Sequence, residues 1–159
     1  MENIKLEIER KFLVKENWPK PNEGNRCIQG YISADEQKVV RVRMMDQQAW
    51  LTIKSLKTEL TRMEFEIEIS EPDAQKLMKL CNKPLIEKTR YKYDYDGFIW
   101  EIDEFHGANQ GLVIAEIELE KEDQSFNKPG FIGEEVSHQQ KYYNAMLTRY
   151  PYSTWSNHP

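Results

Sequence analysis

The feature that most limits what this chain can fold into is a strand pattern, met again and again, in which long ionic side chains alternate with apolar ones. Leu6, Ile8 and Phe12 interleave with Glu7, Glu9 and Lys11, with Arg10 as the one exception. Val40, Val42 and Met44 oppose Arg41 and Arg43, and Leu51 and Ile53 oppose Thr52 and Lys54. Met63, Phe65, Ile67 and Ile69 alternate with Arg62, Glu64, Glu66 and Glu68. Thr89, Tyr91, Tyr93 and Tyr95 oppose Lys88, Arg90, Lys92 and Asp94; Trp100 and Ile102 oppose Glu101 and Asp103; Ala115, Ile117 and Leu119 oppose Glu116, Glu118 and Glu120. With Ile28 to Ser33 added, the pattern predicts eight strands. A slip of one residue would exchange the two faces, so register is strongly specified.

Short connections make the sheet chiefly antiparallel: Asp46-Gln47-Gln48, Ser55 to Thr61, and Tyr95-Asp96-Gly97, where Asp-Gly favours a two-residue turn. Pro19, Pro21 and Gly24 mark one loop and Asn109 to Gly111 another. Two helices are expected. The first opens at Ser70 or Glu71-Pro72-Asp73, carries Leu77, Met78 and Leu80 as apolar members and ends near Asn82. The second runs from Ser137 to Arg149 with Tyr143, Met146 and Leu147 on its apolar stripe and Pro151 beyond it. No internal repeat or linker divides the chain, so residues 1–159 are expected to form a single domain.

An ionic face opposite an apolar one is ordinarily the wet side of a sheet. Solvent asks only for polarity there, which predicts Thr, Ser, Gln, Lys and Glu in mixture. Here the ionic residues are sorted by sign: basic in Arg41-Arg43 and Lys88-Arg90-Lys92, acidic in Glu64-Glu66-Glu68, Glu101-Asp103 and Glu116-Glu118-Glu120. Like charges in a close pair near a protein surface repel by up to about 4 kcal/mol, so such rows call for counter-ions. The expected fold is therefore α+β but mainly β: an eight-stranded antiparallel closed barrel with its charged face turned inward as a tunnel, helices packed outside, and a C-terminal helix at one end.

The formal charge of −5 and the absence of a basic surface excess argue against a general nucleic-acid coat, so a polyanionic ligand needs a locally basic pocket. No stretch of about 18 apolar residues and no signal-peptide pattern occurs, which predicts a cytoplasmic protein without a membrane partner. Cys27 and Cys81 form no C-x-x-C pair, and His106, His138 and His158 lack metal-ligand spacing, which disfavours zinc and disulfides. There is no P-loop. Trp50, Trp100 and the Tyr91-Tyr93-Tyr95 stripe are read as core packing on the apolar face, and the tail from Tyr150 to Pro159 carries no signal.

Glu7-x-Glu9-x-Lys11 sets three ionic groups on one strand face with Cα atoms about 6.6 Å apart. Two carboxylates so spaced can lean toward one hard cation such as Mg²⁺ or Mn²⁺, with the lysine facing an anion. With this motif stand Gln29-Gly30-Tyr31, Arg41-Val42-Arg43, Leu51-Thr52-Ile53-Lys54, Arg62-x-Glu64-x-Glu66, Glu87-Lys88-Thr89-Arg90-Tyr91, Glu101-x-Asp103 and Glu116-x-Glu118, in that order. The ordered set resembles the CYTH superfamily, the triphosphate tunnel metalloenzymes, over nearly the whole chain.

That resemblance implies a tunnel that binds a triphosphate through inward Lys and Arg and hydrolyses its terminal phosphate with Mg²⁺ or Mn²⁺ held by inward acids. It implies Glu7, Glu9, Glu116 and Glu118 as metal-site acids, and Lys11, Arg41, Arg43, Lys54, Arg62, Lys88 and Arg90 as substrate-binding residues. Glu64, Glu66, Glu101 and Asp103 would complete the tunnel wall. Lys88, with Glu7 and Glu9, is the catalytic candidate, because flanking cations and desolvation lower a lysine pKa toward that of a general base. Gly133-Glu134-Glu135-Val136-Ser137 and Lys141-Tyr142-x-Asn144 resemble the segment that leads into the family's C-terminal helix, although Gln139 and Gln140 stand where the family pattern has an Asp. The expected substrate is inorganic tripolyphosphate or a small organic triphosphate. The alternatives are a class IV adenylyl cyclase, a thiamine triphosphatase, and, from another class, a non-catalytic polyphosphate-binding module. A homodimer is left open.

Overall fold

In the computed structural model, which describes residues 3–155, nine strands form one antiparallel sheet that closes on itself. They are β1 (Ile4–Val14), β2 (Asn25–Ala34), β3 (Lys38–Met45), β4 (Gln48–Leu56), β5 (Thr61–Ile69), β6 (Ile86–Tyr95), β7 (Phe98–Phe105), β8 (Val113–Leu119) and β9 (Ile132–Glu135). The order β5-β4-β3-β2-β6-β7-β8-β1 becomes a barrel because the first half of β1 also pairs with β5, from Ile4 opposite Phe65 to Ile8 opposite Thr61. The eight expected strands thus build the barrel. The ninth, β9, adds beside the end of β1 and was not legible in Gly133-Glu134-Glu135, which has no apolar alternation. Among the described residues no helix is long and apolar enough to cross a membrane.

The turns follow their chemistry. Asp96 and Gly97 between β6 and β7 both have positive φ, 49° and 82°, the backbone that a two-residue hairpin turn needs to match strand twist. Between β3 and β4 Asp46 alone takes a positive φ, 58°.

Outside the barrel two apolar layers keep the sheet face dry. Phe12, Trp100, Ile102, Ala115 and Ile117 pack under Phe131, Ile132, Trp18 and Phe126. On the other flank, Val42 and Ala49 pack under helix α1 (Glu71–Met78) through Ala74 and Met78, and under Cys81 just beyond its end. Gly30 permits this approach, since a Cβ there would lie 2.7 Å from Cys81 and Leu85. Ser70 caps α1 by accepting from the Asp73 N–H at 3.2 Å. The regular helix stops at Met78, short of Asn82, and Leu80 is 66% exposed because the buried stripe runs through Ala74, Leu77, Met78 and Cys81.

A third cluster sits inside the barrel. On β6, β7 and β8 the inward row turns from ionic to apolar toward one end: Lys88 gives way to Ile86, Asp103 to Phe105 and Glu116 to Ile114. These join Tyr31, Tyr142, Leu147 and Tyr152, so the C-terminal segment stoppers that end with an apolar plug. The segment is not the continuous helix expected from Ser137 to Arg149. A 3₁₀ turn at Gln140–Tyr142 is followed by an extended Tyr143 (φ −71°, ψ 134°) and then by the six-residue α2 (Asn144–Arg149). The break arises because Ser137 is drawn to β1, accepting from the Lys11 N–H at 2.9 Å, while Tyr143 and Asn144 turn into the barrel. The tail, silent in sequence, completes the plug: Trp155 meets Tyr142 and Tyr152 edge-to-face. Trp100 is core, as expected, but Trp50 is not. It stands opposite Arg43 and Glu68, on the charged face rather than the apolar one. His158 lies outside the described residues.

Candidate active site

The lumen is a cavity of about 310 Å³. Fourteen of the fifteen residues singled out from the sequence line it; Asp103 lies behind the wall, 1% exposed, under Lys88 and Arg90. The rows extend beyond the lumen at their ends, for Glu68, Lys92 and Glu120 are exposed and do not line it.

The acidic flank is built by β1 and β8. Their register sets Glu9 directly opposite Glu118 and Lys11 opposite Glu116, while Glu101 of β7 faces Glu116 from the other side. Lys11 Nζ donates to Glu116 at 2.9 Å and Glu9 at 3.3 Å. Burial disfavours the Lys11 ammonium, but Glu116 and Glu9 outweigh it and hold its pKa above the ordinary lysine value. Burial likewise works against the Glu9 carboxylate, yet Lys11 and Lys54 bring it down to about 2. Glu118 is pushed up, by burial first and then by the charge of Glu7. On β4, Lys54 bridges this flank to β5, 2.7 Å from Glu7 and 3.4 Å from Glu64. Lys11 and Lys54 thus pair with Glu9, Glu116, Glu7 and Glu64, and among the described residues no group of three or more His, Cys, Asp or Glu converges on a metal position.

The basic flank is built by β2, β3 and β6. Arg41 and Arg43 project from β3, and Lys88 and Arg90 from β6. Asp103 accepts from Arg90 Nε at 2.8 Å and from its Nη2 at 2.9 Å, and its Oδ2 also lies 2.9 Å from Lys88 Nζ. One carboxylate is thereby shared between two cations. Asp103 is held at about 2: burial raises it, and Arg90 and Lys88 overcome that. Lys88, 1% exposed, falls to about 8, because burial and the nearby Arg90 and Arg43 outweigh the attraction of Asp103. Arg43 is pulled down by burial, Arg41 and Arg90. Arg41 donates to Thr52 at 3.2 Å and lies 3.4 Å from Glu66, but its buried Nε has no hydrogen-bond partner. The flank therefore keeps surplus positive charge in its wall, the condition that an anion in the lumen relieves.

Sequence reasoning did not assign Gln29, Tyr31, Tyr143 and Asn144 to the site, although all four line the cavity. Gln29 and Tyr31 alternate on β2 and belong to the motif set that carries the family resemblance, but an amide and a phenol bring no charge and so suggested no role beside the ionic rows. Tyr143 sits under the Arg62 guanidinium, 5.3 Å from ring centre to Cζ, and Asn144 reaches Lys88; neither follows from a helical period that the chain breaks at Tyr143.

A closed antiparallel barrel whose lumen sets carboxylates on one flank against guanidinium groups on the other defines a tunnel domain for anionic, cation-accompanied ligands. Residues 5–149 match the CYTH domain, and the chain belongs to that family. It is 45% identical over 151 residues to a protein of Acetivibrio thermocellus named inorganic triphosphatase, covering 94% of this chain and 97% of that one. It is 34% identical over 145 residues to a Nitrosomonas europaea protein of the same name, covering 89% and 95%. The solved structure of the inorganic triphosphatase NE1496 superposes with a TM-score of 0.65 at 33% identity, covering 89% of this chain and 93% of that chain. A Bacillus halodurans structure, 16% identical with a TM-score of 0.60 and covering 77% and 84%, shares the fold.

Proposed function

We propose that this protein is a divalent-metal-dependent triphosphatase that removes the terminal phosphate of inorganic tripolyphosphate, or of a small organic triphosphate, with Mg²⁺ or Mn²⁺ as its ion. The observation that carries the reading is the pairing, in one lumen, of an under-compensated basic flank with a crowded acidic one. A triphosphate with its divalent cation neutralises both. The two relatives named inorganic triphosphatase support the same substrate class. The two free, buried cysteines accord with the reducing cytoplasm.

On this reading Arg41, Arg43, Arg62 and Arg90 hold phosphate oxygens with planar, bidentate forks, while Lys11 and Lys54 act as point charges. Glu7, Glu9, Glu116 and Glu118 would hold the cation. Their hard carboxylate oxygens suit Mg²⁺ or Mn²⁺, and the like-charged pair Glu9 and Glu118 stands opposed across two strands. Once bound, the ion would neutralise charge along the phosphate chain. Phosphate oxygens compete for Lys11, whose release from Glu9 and Glu116 frees those carboxylates. Lys88, as its neutral amine, accepts a proton from the water whose oxygen attacks the terminal phosphorus, while the bond to the bridging oxygen breaks and pyrophosphate departs.

The test is a panel of tripolyphosphate, ATP and thiamine triphosphate with Mg²⁺, Mn²⁺ or excess chelator. Phosphate released fastest from tripolyphosphate, and lost with chelator, is expected. Cyclic AMP from ATP would reassign the site to a cyclase, and tight binding without product to a binding module.

A further inference from the structure

We infer that Asn144 is a positioning residue for Lys88, and that Gln29 sets the orientation in which it acts. This rests on the reading of Lys88 as the proton acceptor. Lys88 Nζ donates to Asn144 Oδ1 at 2.9 Å and contacts Asp103 Oδ2 at 2.9 Å. A neutral amine has two hydrogens and one lone pair. With the hydrogens spent on Asp103 and Asn144, the lone pair takes the remaining tetrahedral position on a nitrogen whose side chain lines the cavity. Without Asn144 the amine is free to turn about its last bond, and the lone pair is no longer directed.

The amide of Asn144 could present either an oxygen or an NH₂ group, and only the oxygen does this work. Gln29 selects it. Gln29 Nε2 donates to Asn144 Oδ1 at 3.2 Å and to Tyr31 Oη at 3.0 Å. Its Oε1 accepts from Arg43 Nε at 3.1 Å. Arginine has no acceptor, so Arg43 fixes the Gln29 carbonyl toward itself, which turns the Gln29 NH₂ toward Asn144. A chain of fixed hydrogen bonds thus runs from a phosphate-facing arginine on β3, through β2, to the plug and on to Lys88. All its members but Arg43 are buried, with Gln29 and Lys88 each 1% exposed. Asn144 adds an acceptor without adding charge. That suits a lysine that must lose its proton, and an aspartate in the same place would not.

The experiment measures kcat and KM of the full-length protein for tripolyphosphate with saturating Mg²⁺ across pH 6 to 10 (roughly two units either side of the Lys88 pKa), for wild type, Asn144→Ala, Asn144→Asp and Lys88→Met. The charged groups facing Lys88 are Asp103 from β7, Arg43 from β3 and Arg90 on its own strand, with the Cys27 thiol from β2; all are kept. Asn144→Ala is expected to lower kcat by about 10- to 100-fold with KM within about threefold. Asn144→Asp keeps the acceptor but adds a charge beside Nζ. Its plateau at high pH should stay within about fivefold of wild type, while the rise of kcat with pH moves upward by about one unit or more. A plug that merely holds the fold would lower both plateaus alike and leave that rise in place. The proposal is overturned if Asn144→Ala keeps kcat within about twofold, or if Asn144→Asp leaves the rise unmoved. Should Asn144→Ala fail to fold, lysine-selective NMR titration of Lys88 in Asn144→Asp decides between the outcomes without turnover: an upward shift supports the contact, and an unchanged titration overturns it. Lys88→Met separates the two roles. If it retains turnover, Lys88 is not the base; if it is inactive while both Asn144 variants match wild type, only the positioning role falls.

Discussion

Lys11 and Lys88 occupy the same barrel, both buried and both on inward rows, yet their charges are governed in opposite senses. Lys11 sits between Glu9 and Glu116, and two carboxylates fix its proton well into the alkaline range. Lys88 must share its single carboxylate, Asp103, with Arg90, and lies near Arg43 as well, so it loses its proton near pH 8. Burial acts on both in the same direction; the local balance of counter-charge decides the outcome. The difference separates the lumen into a flank where a lysine is a permanent cation and one where a lysine can serve as a base.

The comparison breaks most severely at Lys88. Lys88→Met should reduce kcat for tripolyphosphate by about 10²- to 10⁴-fold with the fold retained, as measured by steady-state phosphate release and a thermal melt. In wild type, kcat should rise with pH through about 8, since a base whose pKa is lowered to that value is active above it and protonated below it. Asp103→Asn attacks the shared carboxylate. It leaves the buried Lys88 without its carboxylate and Arg90 with Glu101 alone, and should cost about 3–5 kcal/mol in denaturant unfolding. Because Asp103 raises the Lys88 pKa, the rise of kcat with pH should move lower in whatever folded protein remains. The acid limit of stability follows from the same residue: Asp103 is held at about 2, below its ordinary value, so its contribution is present at neutral pH and lost as pH falls toward 2.

On the other flank Glu9→Gln should raise the metal concentration needed for half-maximal rate by about 10- to 100-fold. An unchanged metal requirement would remove Glu9 from the cation site. The smallest effect is expected at Arg41→Ala, with a loss of about tenfold in triphosphate affinity by calorimetry at low salt, shrinking as salt is raised.

Much of this was legible in the chain. The ionic rows follow from alternation, because a strand's two faces are fixed by residue spacing alone, and the closed barrel on which Glu7, Arg43, Glu66 and Arg90 converge was read from the sorting of those rows by sign. Trp50 shows how the same logic must be counted strictly: its spacing from Thr52 and Lys54 already sets it on the charged face. Other features had no local signal. The strand Ile132–Glu135 exists because β1 offers it an edge, and Asp103 withdraws behind the wall because Arg90 and Lys88 claim it from another strand.

The sequence by itself determined which side chains face inward and how their signs are grouped, since both are properties of consecutive residues. Only the tertiary structure decided where each row leaves the lumen, how the broken C-terminal segment delivers Asn144, and which of two buried lysines gives up its proton. These depend on Coulombic and hydrogen-bond partners far apart in the chain, Lys88 with Asp103, Arg43 and Asn144, and such partners meet only when the barrel has closed.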